Sequence, residues 1–227
     1  MKTVTIRAKS EEVTEVLLYD VIGADFFGDG VTAKDFRAQL KGVKSPTINL
    51  RINSPGGSVT EAAAMLSALD EHPARIEVDV DGIAASAGSV VMMGGDHIRV
   101  ASNALVMIHN PHAMALGDSN EMRRTADLLD KVREQILDAY GRKSKMSRVQ
   151  LSELMDAETW FNGEEAVEAG LAHEASKPVS VAAFADLLKV AAKLGARHVP
   201  KLELTPEQLR LVAETDKRRA IAAKLLI

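Results

Sequence analysis

Residues Arg75–Gly95, RIEVDVDGIAASAGSVVMMGG, decide the fold. Apolar and polar side chains alternate from Arg75 to Asp81, which predicts a strand with one face buried. The segment after it reads as a turn of small residues opening into a short apolar helix that stops at Gly94-Gly95. A strand feeding a helix through small residues is the building unit of a layered α/β domain, in which the carboxyl ends of parallel strands line the functional crevice.

The same alternation extends on both sides. Upstream, Val16 to Ile22 reads as a strand, Thr32 caps a helix with Phe36, Leu40 and Val43 on one face, and Thr47 to Asn53 reads as a second strand running into SPGGS. From Ser58 a helix carries Ala62, Met65, Leu66 and Leu69 at helical spacing and ends near His72-Pro73. Downstream, His97 to Val100 and Ala104 to His109 read as strands, the second apolar enough to be buried on both faces. A long helix is expected over Asp118 to Tyr140, with Met122, Ala126, Leu129, Val132, Ile136 and Ala139 as its apolar stripe and Gly141 ending it. Ser147 with Gln150, and Asn162 with Glu165, have capping-box spacing and mark two further helix starts. From Ser176 the character changes to an Ala-rich helix over Val181 to Leu194, a break at Gly195 to Pro200, and a last helix capped at Thr205-Pro206. Residues 1–175 therefore read as one domain and 176–227 as a C-terminal helical extension.

Composition narrows the chemistry. Of 227 residues 46% are hydrophobic and 26% charged, with a net charge of -4 and no long run of one sign, which speaks against a nucleic-acid groove or a polybasic membrane patch. The absence of cysteine removes disulfide scaffolds, thiolate metal sites and cysteine nucleophiles. Arg7, Lys9, Glu11 and Glu12 interrupt the N-terminal apolar stretch, so neither a secretory signal nor a membrane span can be drawn, and a cytoplasmic protein is expected. No phosphate-binding loop, zinc-protease helix or metal-ligand spacing occurs, so neither cofactor nor metal is expected.

Three strands end in small or reactive residues: TINLRIN in SPGGS, RIEVDVD in GIAASAG, ALVMIH in NPH. If they are neighbours, Gly57, Ser86 and His109 meet at one rim. Ser86 at a strand-to-helix turn is either an exposed nucleophile or part of a stretch kept small for close packing, and Ser89 is its rival. His109 is either the base that such a serine needs or a core histidine, with His97 and His112 as rivals. Asp156 or Glu158 could orient the imidazole, and the Pro55-Gly56-Gly57 turn could lend an N–H to an oxyanion.

NSPGGSVTEA, DGIAASAGSVVMMGG, VMIHNP and EEAVEAGLA, in this order, resemble the motifs of the Clp protease proteolytic subunit family over approximately Val16 to Ala175. The resemblance implies a ClpP/crotonase-like spiral of ββα units, a homo-oligomeric ring, and serine endopeptidase activity on a protein or peptide substrate. It places the nucleophile at Ser86, the base at His109, and the oxyanion donors at Gly57 and Ala87. The third member falls on Glu158 by ungapped anchoring, or on Asp156 with a two-residue shift. VIGADFFGDGVTAKDFRAQL, ETWF and the C-terminal extension resemble the head maturation proteases of tailed phages and prophages. That subtype implies capsid or scaffold protein as substrate and a site of action in the host cytoplasm within the prohead. A cellular Clp-type subunit working with an ATPase partner, a crotonase-like acyl-CoA enzyme and a non-catalytic scaffold component are the alternatives.

Overall fold

The computed structural model describes residues 5–24 and 30–178. The elements run β1 (Thr5–Ala8), β2 (Val13–Leu18), α1 (Ala33–Leu40), β3 (Thr47–Ser54), α2 (Val59–Asp70), β4 (Arg75–Ala85), α3 (Ala87–Met92), β5 (His97–Ala101), β6 (Leu105–Ile108), α4 (Ser119–Gly141), α5 (Arg148–Asp156), β7 (Thr159–Phe161), α6 (Gly163–Glu168) and β8 (Glu174–Ser176). The expected helices beyond Val181 lie outside the described residues.

One sheet carries the domain, in the order β1-β2-β3-β4-β5-β8, with β2 through β5 and β8 joined in parallel and β1 antiparallel at the edge. Strand β4 is the axis. It pairs with β3 along one side, while its other side changes partner, from β5 over Glu77–Val80 to β6 over Ile83–Ala85. Strand β7 then pairs antiparallel with β6.

Period-2 alternation gives the sheet two unlike faces. Val16, Leu18, Ile48, Leu50, Ile52, Ile76, Val78 and Val80 are all buried in the core, which also takes in Phe36 and Leu40 of α1, Met65 and Leu69 of α2 and Val91 and Met92 of α3. The opposite face is a ladder of paired charges. Arg51 binds Asp81, which also accepts from the Tyr19 hydroxyl, and Arg99 spans Asp79 at 2.6 Å and Glu77 at 3.0 Å. These pairs hold adjacent strands in register without a second apolar layer.

Helix starts follow their caps. Thr32, Ser58, Asp118, Ser147 and Asn162 each accept a backbone N–H of the first turn, and the last three form complete capping boxes.

The structure corrects four local expectations. The first expected strand, Val16 to Ile22, lies over Val13–Leu18, because residues from Asp20 to Ile22 leave the ladder to bond the SPGG loop: Ile22 N–H donates to Gly56 O at 2.8 Å. Residues 82–85, read as a turn, continue β4, because pairing with β6 overrides the low strand preference of glycine and alanine. Gly141 is the last helical residue of α4 rather than its stop. The α4 stripe is buried only toward its C-terminal end, at Ile136 and Ala139, while Leu129 and Val132 are half-buried and Met122 and Ala126 are exposed.

Candidate active site

Strand β4 lies between β3 and β6 and all three run the same way, so their carboxyl ends reach one rim. The residues that follow them, Gly57, Ser86 and His109, line a single open cleft of about 320 Å³ with Ala87, His112, Ile136 and Tyr140.

Ser86 links β4 to α3 with φ 54° and ψ -123°, a conformation that L-residues rarely adopt. Its N–H donates to Met107 O at 3.0 Å, and its carbonyl accepts from Ser89 and Val90 at the start of α3. No side chain caps α3, so the N–H of Ala87, at its first position and beside the cleft, receives no side-chain cap bond. Small residues are needed here for space as well. A Cβ on Gly88 would lie 3.0 Å from Ser54 O, so GIAASAG is kept small for close packing while half-buried Ser86 lines the cleft.

The SPGG loop closes on this turn. Gly56 and Gly57 hold φ of +97° and +141°, and a Cβ on Gly56 would stand 2.6 Å from Ala85 O, 2.8 Å from Ser86 Cβ and 3.0 Å from Ala87 N. Only glycine permits that approach. Hydrogen bonds from Ile22 N–H to Gly56 O and from Ser58 N–H to Ile22 O, both 2.8 Å, anchor the residues on either side of Gly57.

His109 Nε2 lies 2.8 Å from Ser86 Oγ. Burial holds the His109 pKa below the ordinary imidazole value, the neighbouring His112 lowers it further, and the charge of Glu158 opposes both. A neutral ring at this distance can take the serine proton. His112 stacks edge-on at 5.4 Å between ring centroids, whereas His97 sits on β5, 3.5 Å from Glu174 and against His173. Ser89 is fully buried and engaged in three hydrogen bonds, which leaves it no access to a substrate.

The two candidate acids are separated by the register of β7. The antiparallel pairs Val106↔Phe161, Met107↔Trp160 and Ile108↔Thr159 end the ladder with His109 and Glu158 each adjoining its last pair, and the charge of Glu158 acts on His109. Glu158 holds φ 51°, the second non-glycine residue with positive φ among the described residues, Ser86 being the first. Asp156 ends α5 and faces elsewhere: it accepts from Arg133 at 2.9 Å and from Asn110 at 2.7 Å, and these bonds keep its pKa low. Sequence reasoning missed Arg133, which also bonds Asn110 at 2.9 Å and Ser152 at 2.5 Å and so ties α4 to the residue after His109. A single arginine among the mixed charges of α4 carries no signal of this.

Comparison with known proteins bears on these features directly. A family model described as Clp protease matches residues 29–178. The chain belongs to the Clp protease family. Its structure is similar to that of a ClpP1 point mutant from Listeria monocytogenes, with a TM-score of 0.60 and 24% sequence identity over 72% of this chain and 91% of that one. The ClpP-like α/β fold is thus shown, and membership makes the chain a Clp-type peptidase of a serine peptidase family whose members form rings and act on proteins. Among the described residues no helix is long and apolar enough to cross a membrane, and no group of three His, Cys, Asp or Glu could hold a metal ion.

Proposed function

We propose that this Clp-family chain is a serine endopeptidase in which Ser86 is the nucleophile, His109 the general base, Glu158 the orienting acid, and the N–H groups of Gly57 and Ala87 the oxyanion donors. The observation that carries the reading is the 2.8 Å contact between His109 Nε2 and Ser86 Oγ. Ser86 Oγ attacks the peptide carbonyl as His109 takes its proton, the oxyanion develops against the two amides, and the imidazolium returns the proton to the leaving amine. Water then enters, His109 removes its proton, and the acyl-enzyme is hydrolysed. Support for Glu158 over Asp156 comes from the β6–β7 pairing, whose last pair, Ile108↔Thr159, directly precedes His109 and follows Glu158, from the charge of Glu158 acting on His109, and from the bonds that hold Asp156 to Arg133 and Asn110.

The biological setting is a second part of the proposal. The resemblance of residues 21–40 and of ETWF to phage and prophage head maturation proteases supports cleavage of scaffold or capsid protein within a prohead, in the host cytoplasm. Residues 1–175 are the protease domain in this reading and 176–227 an appended helical arm. The exposed Met114, Leu116, Met122 and Leu128, before and along the first half of α4, fit a homo-oligomeric ring in which that helix is covered by a second copy.

The test is hydrolysis of purified scaffold and capsid precursor by wild type and Ser86→Ala, with and without an ATPase of the Clp type, alongside sedimentation. Cleavage by wild type alone, from a particle several times the 24.4 kDa monomer, is expected. Monomeric mass would sink the ring, and equal cleavage by both proteins would sink the nucleophile.

A further inference from the structure

Beneath the nucleophile turn lies a buried polar pair, Ser89 and Tyr140, that the mechanism above does not use; the Tyr140 side also borders the cleft. Ser89 is 0% exposed and Tyr140, near the end of α4, is 1% exposed. Ser89 Oγ lies 2.7 Å from Ser86 O, 2.8 Å from Met107 O and 2.8 Å from Tyr140 Oη. The direction of these bonds follows from proton counting. Carbonyl oxygens only accept, so the single Ser89 proton goes to them, and the bond to Tyr140 is made by the tyrosine hydroxyl donating to Ser89 Oγ. Burial pushes the Tyr140 pKa well above its ordinary value, so the donor stays protonated.

The two carbonyls gripped by Ser89 are not arbitrary. Ser86 O is the carbonyl of the nucleophile itself, and Met107 O accepts the nucleophile's own N–H at 3.0 Å. Met107 is also two residues before His109 on β6. One hydroxyl therefore bonds both the carbonyl of Ser86 and the carbonyl that accepts its N–H, so it bears on the two peptide units flanking the residue whose φ is 54°. Such a conformation persists only where its surroundings over-determine it.

We propose that Tyr140 and Ser89 form a positioning relay, from α4 to the backbone of Ser86, that holds the nucleophile in its reactive conformation. This rests on the assignment of Ser86 as nucleophile. Neither residue touches the reacting atoms; Tyr140 acts through Ser89, and Ser89 through two carbonyls.

The experiment is fluorophosphonate labelling of the full-length chain, followed by intact mass over time at several probe concentrations, for wild type, Tyr140→Phe, Ser89→Ala and the double variant, with thermal unfolding of each. Each single variant is expected to lower the limiting labelling rate about tenfold, the net worth of one hydrogen bond, with the half-saturating probe concentration unchanged. Because the two act in series, the double variant should lose no more than either alone. Should Ser89→Ala, which orphans the tyrosine hydroxyl, fail to fold, the double variant removes both polar groups and must show the same loss. Variants that melt earlier but are labelled at the wild-type rate while folded would make the pair merely structural and overturn the proposal. A changed half-saturating concentration with an unchanged limiting rate would show that Tyr140, which borders the cleft, acts on probe binding and not through Ser86, and would overturn it too. Wild type that takes no label would overturn the Ser86 assignment together with the relay, whereas labelling of all four proteins at one rate would overturn the relay alone.

Discussion

Replacing Gly56 by alanine perturbs the contact between the SPGG loop and the nucleophile turn with a single methyl group. Two costs can be worked out. An L-residue at φ +97° is strained by about 1–2 kcal/mol. The new Cβ also meets Ala85 O at 2.6 Å, Ser86 Cβ at 2.8 Å and Ala87 N at 3.0 Å, two of which are backbone atoms that cannot rotate away. Relieving such overlaps costs a further 1–3 kcal/mol or so, giving a destabilisation of about 2–5 kcal/mol in urea denaturation. Relief requires the loop to retreat from Ser86 and Ala87, and it carries the Gly57 amide with it. Loss of one oxyanion donor costs about 10²–10³ in kcat, so peptidase activity at a temperature where the variant is folded should fall by at least about 100-fold. Gly141→Ala is the control: nothing lies within 4 Å of the added methyl, so a gain of about 0.4–1 kcal/mol with unchanged activity is expected. Gly56→Ala that remains folded and retains activity within about twofold of wild type would refute the geometry on which the oxyanion assignment stands.

Three further outcomes follow from the same geometry. Since catalysis needs neutral His109 and its pKa lies below the ordinary value, the acid limb of the labelling rate should have its midpoint below about 6.5; His112→Asn, which removes a charge that opposes protonation, should move that midpoint upward, and a profile that stays put would remove His112 from the electrostatics. Glu158→Gln should slow labelling by at least about 100-fold and Asp156→Asn by far less, measured under the same conditions, and the reverse order would return the triad to Asp156. On the polar face of the sheet, burial pushes the Asp79 carboxyl upward, but hydrogen bonds from Arg99 and Asn49 win and hold it below its usual value. Its stabilisation is therefore complete above the unfolded-state pKa near 3.9 and is lost as pH falls through the lower folded value; Arg99→Met should cost about 1.5–3 kcal/mol at pH 7 and flatten the acid limb of stability, as read by urea midpoints across pH.

Legibility in the sequence tracked how local the cause was. SPGGS, GIAASAG and VMIHN announce themselves because each joins an apolar strand to residues chosen for turns, and three parallel strands ending this way leave few arrangements for Gly57, Ser86 and His109. Caps at Ser147 and Asn162 were readable for the same reason. What was not readable depends on partners distant in the chain. Residues 82–85 look like a turn until β6 supplies the ladder, and Glu158 is indistinguishable from Asp156 until the register of β7 against β6 is known. Strands β1 and β8 escaped notice because each is short and exposed on an edge of the sheet, where no buried face imposes alternation. The exposed half of the α4 stripe shows apolar periodicity recording a face that this single chain does not cover. Ser89 reads as a rival nucleophile and Tyr140 as the end of the long helix, since only the folded structure reveals that their hydroxyls meet beneath the nucleophile turn.

Intact-mass spectrometry after fluorophosphonate treatment of wild type, Ser86→Ala and His109→Ala tests the serine mechanism most directly. One adduct on wild type and none on either variant is the expected result. An adduct that persists on Ser86→Ala, or wild-type protein that assembles into its full-sized particle and takes no label, would contradict it.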